Sequence, residues 1–285
     1  MADDAIETDR RAATDRMIYR HRLPVRIMHW INVVAMFVLL LSGFQIFNAH
    51  SALYWGERSH FDHPLLSMDA RQNAAGDVRG VTTVFGHSFD TTGVFGASRV
   101  DGGLQPRGFP TWLTIPGPQW LAMGRRWHFF FAWIFVLNGL AYAAYALFSR
   151  HLRRDLAPTG RDWRGIGRSI IDHALLRHPK GEASTRYNVL QKLTYLIVVF
   201  VLGPVMILMG LAMSPHMDSV LGWLLDLVGG RQSARTIHFV IAMLFVAFVL
   251  VHLFEIIVTG VVNNLRSMIT GRYAVPPAED DHEGT

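Results

Sequence analysis

The chain has 285 residues, no cysteine, 51% hydrophobic and 17% charged residues, and a formal charge of +5. Without cysteine there are no disulfides, no iron–sulfur clusters, no thiolate-bound zinc and no covalently attached haem. So apolar a composition excludes an ordinary soluble domain and places the chain among membrane proteins.

Residues 1–25 are charged and aperiodic, open on an acidic stretch unlike a signal peptide, and are expected to form a largely disordered cytoplasmic tail. The first uncharged run, residues 27–47, is long enough to cross a hydrocarbon core of about 30 Å. Residues 48–120 form a long polar segment rich in Gly, Asp, Ser and Thr, with β-type patches around Val81 and Val94 that predict a small hairpin. So long a loop is usually functional, and docking a partner is one such use. The second span is 127–148. A basic connection, 149–188, follows, and its apolar spacing from Trp163 to Leu176 predicts an amphipathic helix on the membrane surface. The third span is 190–213, with a kink expected at Gly203-Pro204. A short loop leads to the fourth span, 236–262, and residues 263–285 read as a second cytoplasmic tail.

Positive charge orients these spans. The connection between spans two and three is dense in arginine, and Arg20, Arg22 and Arg26 precede span one. The 48–120 loop has five arginines against six acids. Both termini and the basic connection are therefore expected in the cytoplasm, and the long loop outside. Topology accounts for the basic charge, so no nucleic acid is implied.

Ionisable side chains inside spans are costly and point to function. His238 and His252 lie fourteen residues apart in span four. At 100° per residue they come within roughly 40° of one another around the helix, and at 1.5 Å per residue about 21 Å apart along it. His29 opens span one on the inner side, and His128 opens span two on the outer side. Each depth thus holds two imidazoles: His128 with His238 outside, His29 with His252 inside. Paired neutral imidazoles from facing helices are what a six-coordinate b-type haem needs, and with both axial positions filled such a haem passes electrons rather than activating oxygen. Zinc or di-iron sites would want clustered ligands, carboxylates included, and no Glu-x-x-His pattern occurs. The expected fold is therefore an all-α, four-transmembrane-helix bundle over residues 26–262, holding two b-type haems through His29, His128, His238 and His252. Arg126 and Arg235 beside the outer histidines, and Arg26 one turn before His29, are candidate propionate contacts, with snorkelling to lipid headgroups the competing role. Gly43, fourteen residues after His29, would leave room at the outer depth. His50, His60, His63 and His87 in the outer loop read as solvated residues rather than a metal site.

Four stretches carry a resemblance: Pro24-Val25-Arg26-Ile27-Met28-His29-Trp30, Arg125-Arg126-Trp127-His128-Phe129, Tyr187-Asn188-Val189-Leu190-Gln191-Lys192, and His238 with His252. The layout resembles the cytochrome b subunit, the gamma or membrane-anchor subunit, of bacterial formate dehydrogenases, nickel–iron hydrogenases and thiosulfate-reductase-like enzymes, over residues 20–48 and 119–270. The resemblance implies a bacterial inner-membrane protein whose extracytoplasmic catalytic or iron–sulfur partner exchanges electrons with a quinone near the cytoplasmic surface, beside Asn188. By position, Gln191, Lys192, Tyr195, His252 and Glu255 are further quinone candidates; Glu255 is equally well an interfacial residue paired with an arginine. The alternative function is a standalone di-haem, quinol-linked cytochrome b acting on a small external oxidant or reductant such as superoxide.

Overall fold

The computed structural model describes residues 16–149, 152, 156–175 and 188–275. In chain order the elements are β1 (Met17–Tyr19), α1 (Leu23–Phe47), β2 (Ala52–Leu53), β3 (Leu66–Gln72), β4 (Val78–Val84), β5 (His87–Asp90), β6 (Ala97–Val100), β7 (Gly103–Pro106), α2 (Leu121–Phe148), α3 (Gly160–Ala174), α4 (Val189–Ile197), α5 (Gly203–Ala212), α6 (Asp218–Val228), α7 (Arg231–Val258), α8 (Val261–Thr270) and β8 (Arg272–Ala274). Among the described residues, four helical segments are long and apolar enough to cross a membrane: α1, α2, Val189–Ala212 and α7. Phe37, Trp133, Leu137, Leu250 and Ile257 on them are exposed, as lipid-facing side chains should be. The protein is a helical integral membrane protein.

The helices differ from the expected spans in ways that local chemistry explains. α2 begins at Leu121 rather than 127, and α7 at Arg231 rather than 236. α7 stops at Val258, short of 262, because Gly260 takes φ 102° and turns the chain into α8. The third span widens to a π-helical turn over Val198–Leu202 just before Pro204. Proline has no N–H and its ring crowds the carbonyl four residues back, and the wider turn relieves both. The stretch expected as a loop before span four contains α6, whose Leu221, Leu224, Leu225 and Val228 follow helical spacing and pack with Met209, Ala212 and Ala234.

The chain divides into two compact units, one of residues 1–30, 139–201 and 245–285, the other of 31–138 and 202–244. In the first unit, both regions expected as tails contribute structure. β1 pairs antiparallel with β8, Met17 opposite Ala274, and the Arg20 guanidinium lies 4.4 Å over the Tyr273 ring. The predicted amphipathic helix is α3, and its Trp163, Ile170 and Ile171 are exposed. Arg150, Arg153, Arg154, Arg177, Lys180, Arg186 and Tyr187 of the basic connection lie outside the described residues, as do the ends of both tails.

In the second unit, the 48–120 segment is far more than a hairpin. Strands β2-β3-β4-β5 form an antiparallel sheet in that order, and β6 pairs with β7. Two tight turns, Phe85-Gly86 and Asp101-Gly102, have positive φ at both central residues, the turn whose twist suits a hairpin. An aromatic cluster joins this segment to the helices of the unit: Phe109 stacks on Phe44 at 4.1 Å, and Phe47 lies 4.8 Å from Phe239. Such pairs add about 0.5–1.5 kcal/mol each beyond their buried area.

Candidate functional site

In the second unit, α2 and α7 bring His128 and His238 together, ring centroids 6.3 Å apart and planes at 62°. In the first unit, His29 and His252 repeat the arrangement at 6.3 Å and 60°. Two imidazoles bound trans to one metal, each nitrogen about 2 Å from it, place their ring centres roughly 6 Å apart. Both pairs meet that spacing.

Proton placement supports the same chemistry. His128 Nδ1 lies 3.1 Å from the carbonyl of Leu39, and His238 Nδ1 lies 3.0 Å from the carbonyl of Met206. A carbonyl only accepts, so both Nδ1 atoms carry the proton and each Nε2 keeps its lone pair for a metal. Ser42, fully buried, donates to the Val38 carbonyl at 2.6 Å and presents its oxygen to His128 Nδ1 at 3.1 Å. Two glycines stand behind these rings. A Cβ at Gly43 would lie 3.4 Å from His128 Cε1, and one at Gly210 would lie 3.3 Å from His238 Cε1. Gly43 therefore makes room for the imidazole rather than only for a haem. Gly210 has no sequence signal of its own, since its use depends on which helix faces it. At the other pair, Trp30 sets its edge on His29 at 5.3 Å and Phe248 stacks on His252 at 5.7 Å.

The remaining predicted residues have other occupations. Arg235 donates to the carbonyls of His50 and Ala52 and lies 5.4 Å over the Phe47 ring, so it ties β2 to α7. Thr236 and Ser233 extend the same attachment, bonding the Tyr54 carbonyl at 2.6 Å and the Gly56 N–H at 2.8 Å. Arg26 Nε donates to the Met268 carbonyl at 3.4 Å, and Trp30 Nε1 donates to the same oxygen at 3.1 Å. Arg126 is exposed. Asn188 caps α4: its side chain accepts from the Gln191 N–H while the Gln191 side chain accepts from the Asn188 N–H. Lys192 pairs with Asp162 at 2.9 Å. Glu255 is half-buried one turn beyond His252.

Outside the spans, burial lowers the pKa of His50, with the charge of Arg235 adding to the effect. Its ring is therefore neutral at pH 7 and stacks on Tyr54 at 5.6 Å. Burial likewise lowers the pKa of Arg107, whose guanidinium donates to the carbonyls of Phe109 and Gly117 and to Thr114 Oγ1, closing the end of the 48–120 segment.

Paired imidazoles on apolar, membrane-crossing helices are the arrangement of a membrane haem protein. A family model described as prokaryotic cytochrome b561 matches residues 20–271, and the chain belongs to that family. It is a membrane cytochrome of the electron-transfer class, and haem b is the group the family implies. The chain is also similar to a protein of Azospira oryzae described as "Putative protein-methionine-sulfoxide reductase subunit YedZ1", 26% identical over 254 residues, covering 87% of this chain and 93% of the relative. No solved structure matches it.

Proposed function

We propose that the chain is a di-haem cytochrome b subunit that carries electrons between an extracytoplasmic oxidoreductase and the membrane quinone pool, with both termini in the cytoplasm of a bacterium. The observation that carries the reading is the pair of imidazole couples, each with ring centres 6.3 Å apart. In this reading His128 and His238 hold one haem b and His29 and His252 the other. Haem b with two imidazole axial ligands supplies one-electron transfer and offers no open coordination position. Around the first pair, the Leu39 and Met206 carbonyls would keep the proton on Nδ1 and leave Nε2 as the nitrogen available to iron.

The 48–120 segment supports a partnered subunit over the standalone, superoxide-type enzyme. It is bonded to the first turns of α7 through Ser233, Arg235 and Thr236, two to five residues from His238. A docking platform built on the ligand-bearing helix suits a catalytic partner on that side. The Azospira relative is described as a subunit of a protein-methionine-sulfoxide reductase, so reductases of oxidised methionine join formate dehydrogenases, hydrogenases and related molybdenum enzymes as partner classes. The quinone site falls to the first unit, near Asn188, Gln191, Lys192, His252 and Glu255. Asn188 and Gln191 retain their helix-capping bonds there and shape the site rather than exchange protons. Glu255 is the proton-carrying group.

The test is a redox difference spectrum of the detergent-purified chain, with and without its copurifying partner. Two low-spin b-type haems, reducible by a short-chain quinol, are expected. A chain that binds no haem, or whose haem does not respond to quinol, overturns the proposal.

A further inference from the structure

The two histidine pairs have the same spacing but different surroundings. In the His128–His238 pair both Nδ1–H groups are taken by backbone carbonyls, those of Leu39 and Met206. Each carbonyl stands four residues before a glycine on its own helix, Leu39 before Gly43 and Met206 before Gly210. Each glycine in turn lies against the imidazole its carbonyl receives, at 3.4 and 3.3 Å from the position of a Cβ. The same notch therefore occurs twice: a missing side chain admits the ring, and the carbonyl one turn earlier accepts its proton. Ser42 adds a third oxygen, on His128 alone.

Among the described residues no such notch serves the other pair. His29 Nδ1 is buried without a hydrogen-bond partner among the described residues. No described glycine backs onto either ring, and Gly139 on α2 meets nothing within 4 Å.

An acceptor on Nδ1–H draws the proton away from the ring and makes the imidazole a stronger donor through Nε2. A stronger axial donor stabilises ferric over ferrous iron and lowers the reduction potential. We propose that the Leu39–Gly43 and Met206–Gly210 notches, with Ser42, make the His128–His238 centre the lower-potential of the two haem sites. At half-reduction the electron then rests on the His29–His252 centre, in the unit that carries the quinone candidates. This inference rests on the bis-imidazole reading of both pairs.

The experiment is an optical potentiometric titration of the haem-loaded full chain in detergent, following the reduced b band. Wild type should titrate in two components. Ser42→Ala should raise the lower component and leave the upper in place. Gly43→Ala and Gly210→Ala, whose added methyls press on the rings, should move the same component upward and further. His252→Ala should leave one component, at the lower value. Two components with equal midpoints overturn the inference alone, as does Ser42→Ala moving the upper one, or His252→Ala retaining the upper one. Should Gly43→Ala or Gly210→Ala lose the haem, the Ser42→Ala and His252→Ala titrations still decide. A wild-type chain with fewer than two haems overturns instead the di-haem reading itself.

Discussion

His238 Nδ1 and the carbonyl of Met206 stand 3.0 Å apart, and this contact decides which nitrogen of the ring is left for a metal. The carbonyl accepts a proton, so the neutral ring carries it on Nδ1 and keeps its lone pair on Nε2. Met206 lies two residues past Pro204, on the segment that follows the π-helical turn.

Removal of either ligand of a pair should remove one centre only. His238→Ala is expected to halve the low-spin b-type absorbance, His252→Ala to halve it again independently, and the double variant to abolish it. Haem content per chain, measured by a pyridine haemochrome assay, checks this; equal loss of both centres from one substitution would refute separate sites.

Arg235 is expected to act as a fastener for the extramembrane sheet. Arg235→Ala deletes its bonds to the His50 and Ala52 carbonyls, and hydrogen bonds from a charged group contribute about 1.5–3 kcal/mol each when partly buried. Limited proteolysis should then cut the 48–65 region faster while haem content stays near wild type. Loss of one haem without faster cleavage would instead assign Arg235 to a propionate.

Gly230 has φ 118°, and a Cβ there would stand 2.6 Å from Glu57 Cδ and 2.7 Å from Glu57 backbone. Gly230→Ala combines a strained backbone with this collision, and the strain by itself costs on the order of 1–3 kcal/mol. A clear drop in the thermal midpoint in detergent is expected, whereas Gly222→Ala, which meets nothing within 4 Å, should be silent or mildly stabilising.

Asn188→Ala should cost about 1 kcal/mol through loss of the α4 cap. Because the capping bonds occupy its side chain, quinol oxidation should fall chiefly through the turnover of a loosened site, and Asn188→Asp, which still caps, should recover it. Failure of Asn188→Asp to recover activity while restoring stability would point to direct contact with the quinone.

The Lys192–Asp162 pair makes a pH prediction. The Asp162 carboxylate is held below its ordinary value of 3.8, first by the Thr159 N–H and then by Lys192 and the Thr159 hydroxyl. A depressed folded pKa means that the ionised form is favoured in the fold. Its stabilisation is complete above 3.8 and is lost as pH falls below that value toward the folded pKa. Thermal midpoints taken downward from about pH 5 should show this loss in the wild type and a shallower one in Asp162→Asn.

Much of this protein is legible along the chain because the membrane imposes simple rules. Uncharged runs of twenty or more residues are helices, since no other open structure satisfies its backbone in hydrocarbon. The helical period then puts His238 and His252 on one side of their helix, and span depth pairs His128 with His238 and His29 with His252, rings whose centroids lie 6.3 Å apart in each pair. Elsewhere local rules are weaker. Short strands such as β2 and β6 have no periodicity to read, and the segment between α1 and α2 is held at its ends by Arg235, Thr236 and Asn48, partners from distant points in the chain.

Alone, the sequence determined the membrane class, the four spans, the histidine faces and the exclusion of thiolate and disulfide chemistry, because composition and periodicity are properties of single segments. Tertiary structure decided the rest: the carbonyls that set the His128 and His238 protons, the glycines that admit those two rings, and the capping and ion-pair duties of Asn188, Gln191 and Lys192. A backbone carbonyl has no signature in sequence. Whether it serves its own helix or a facing imidazole depends on which helix lies opposite, at what rotation, and whether a side chain stands in the way.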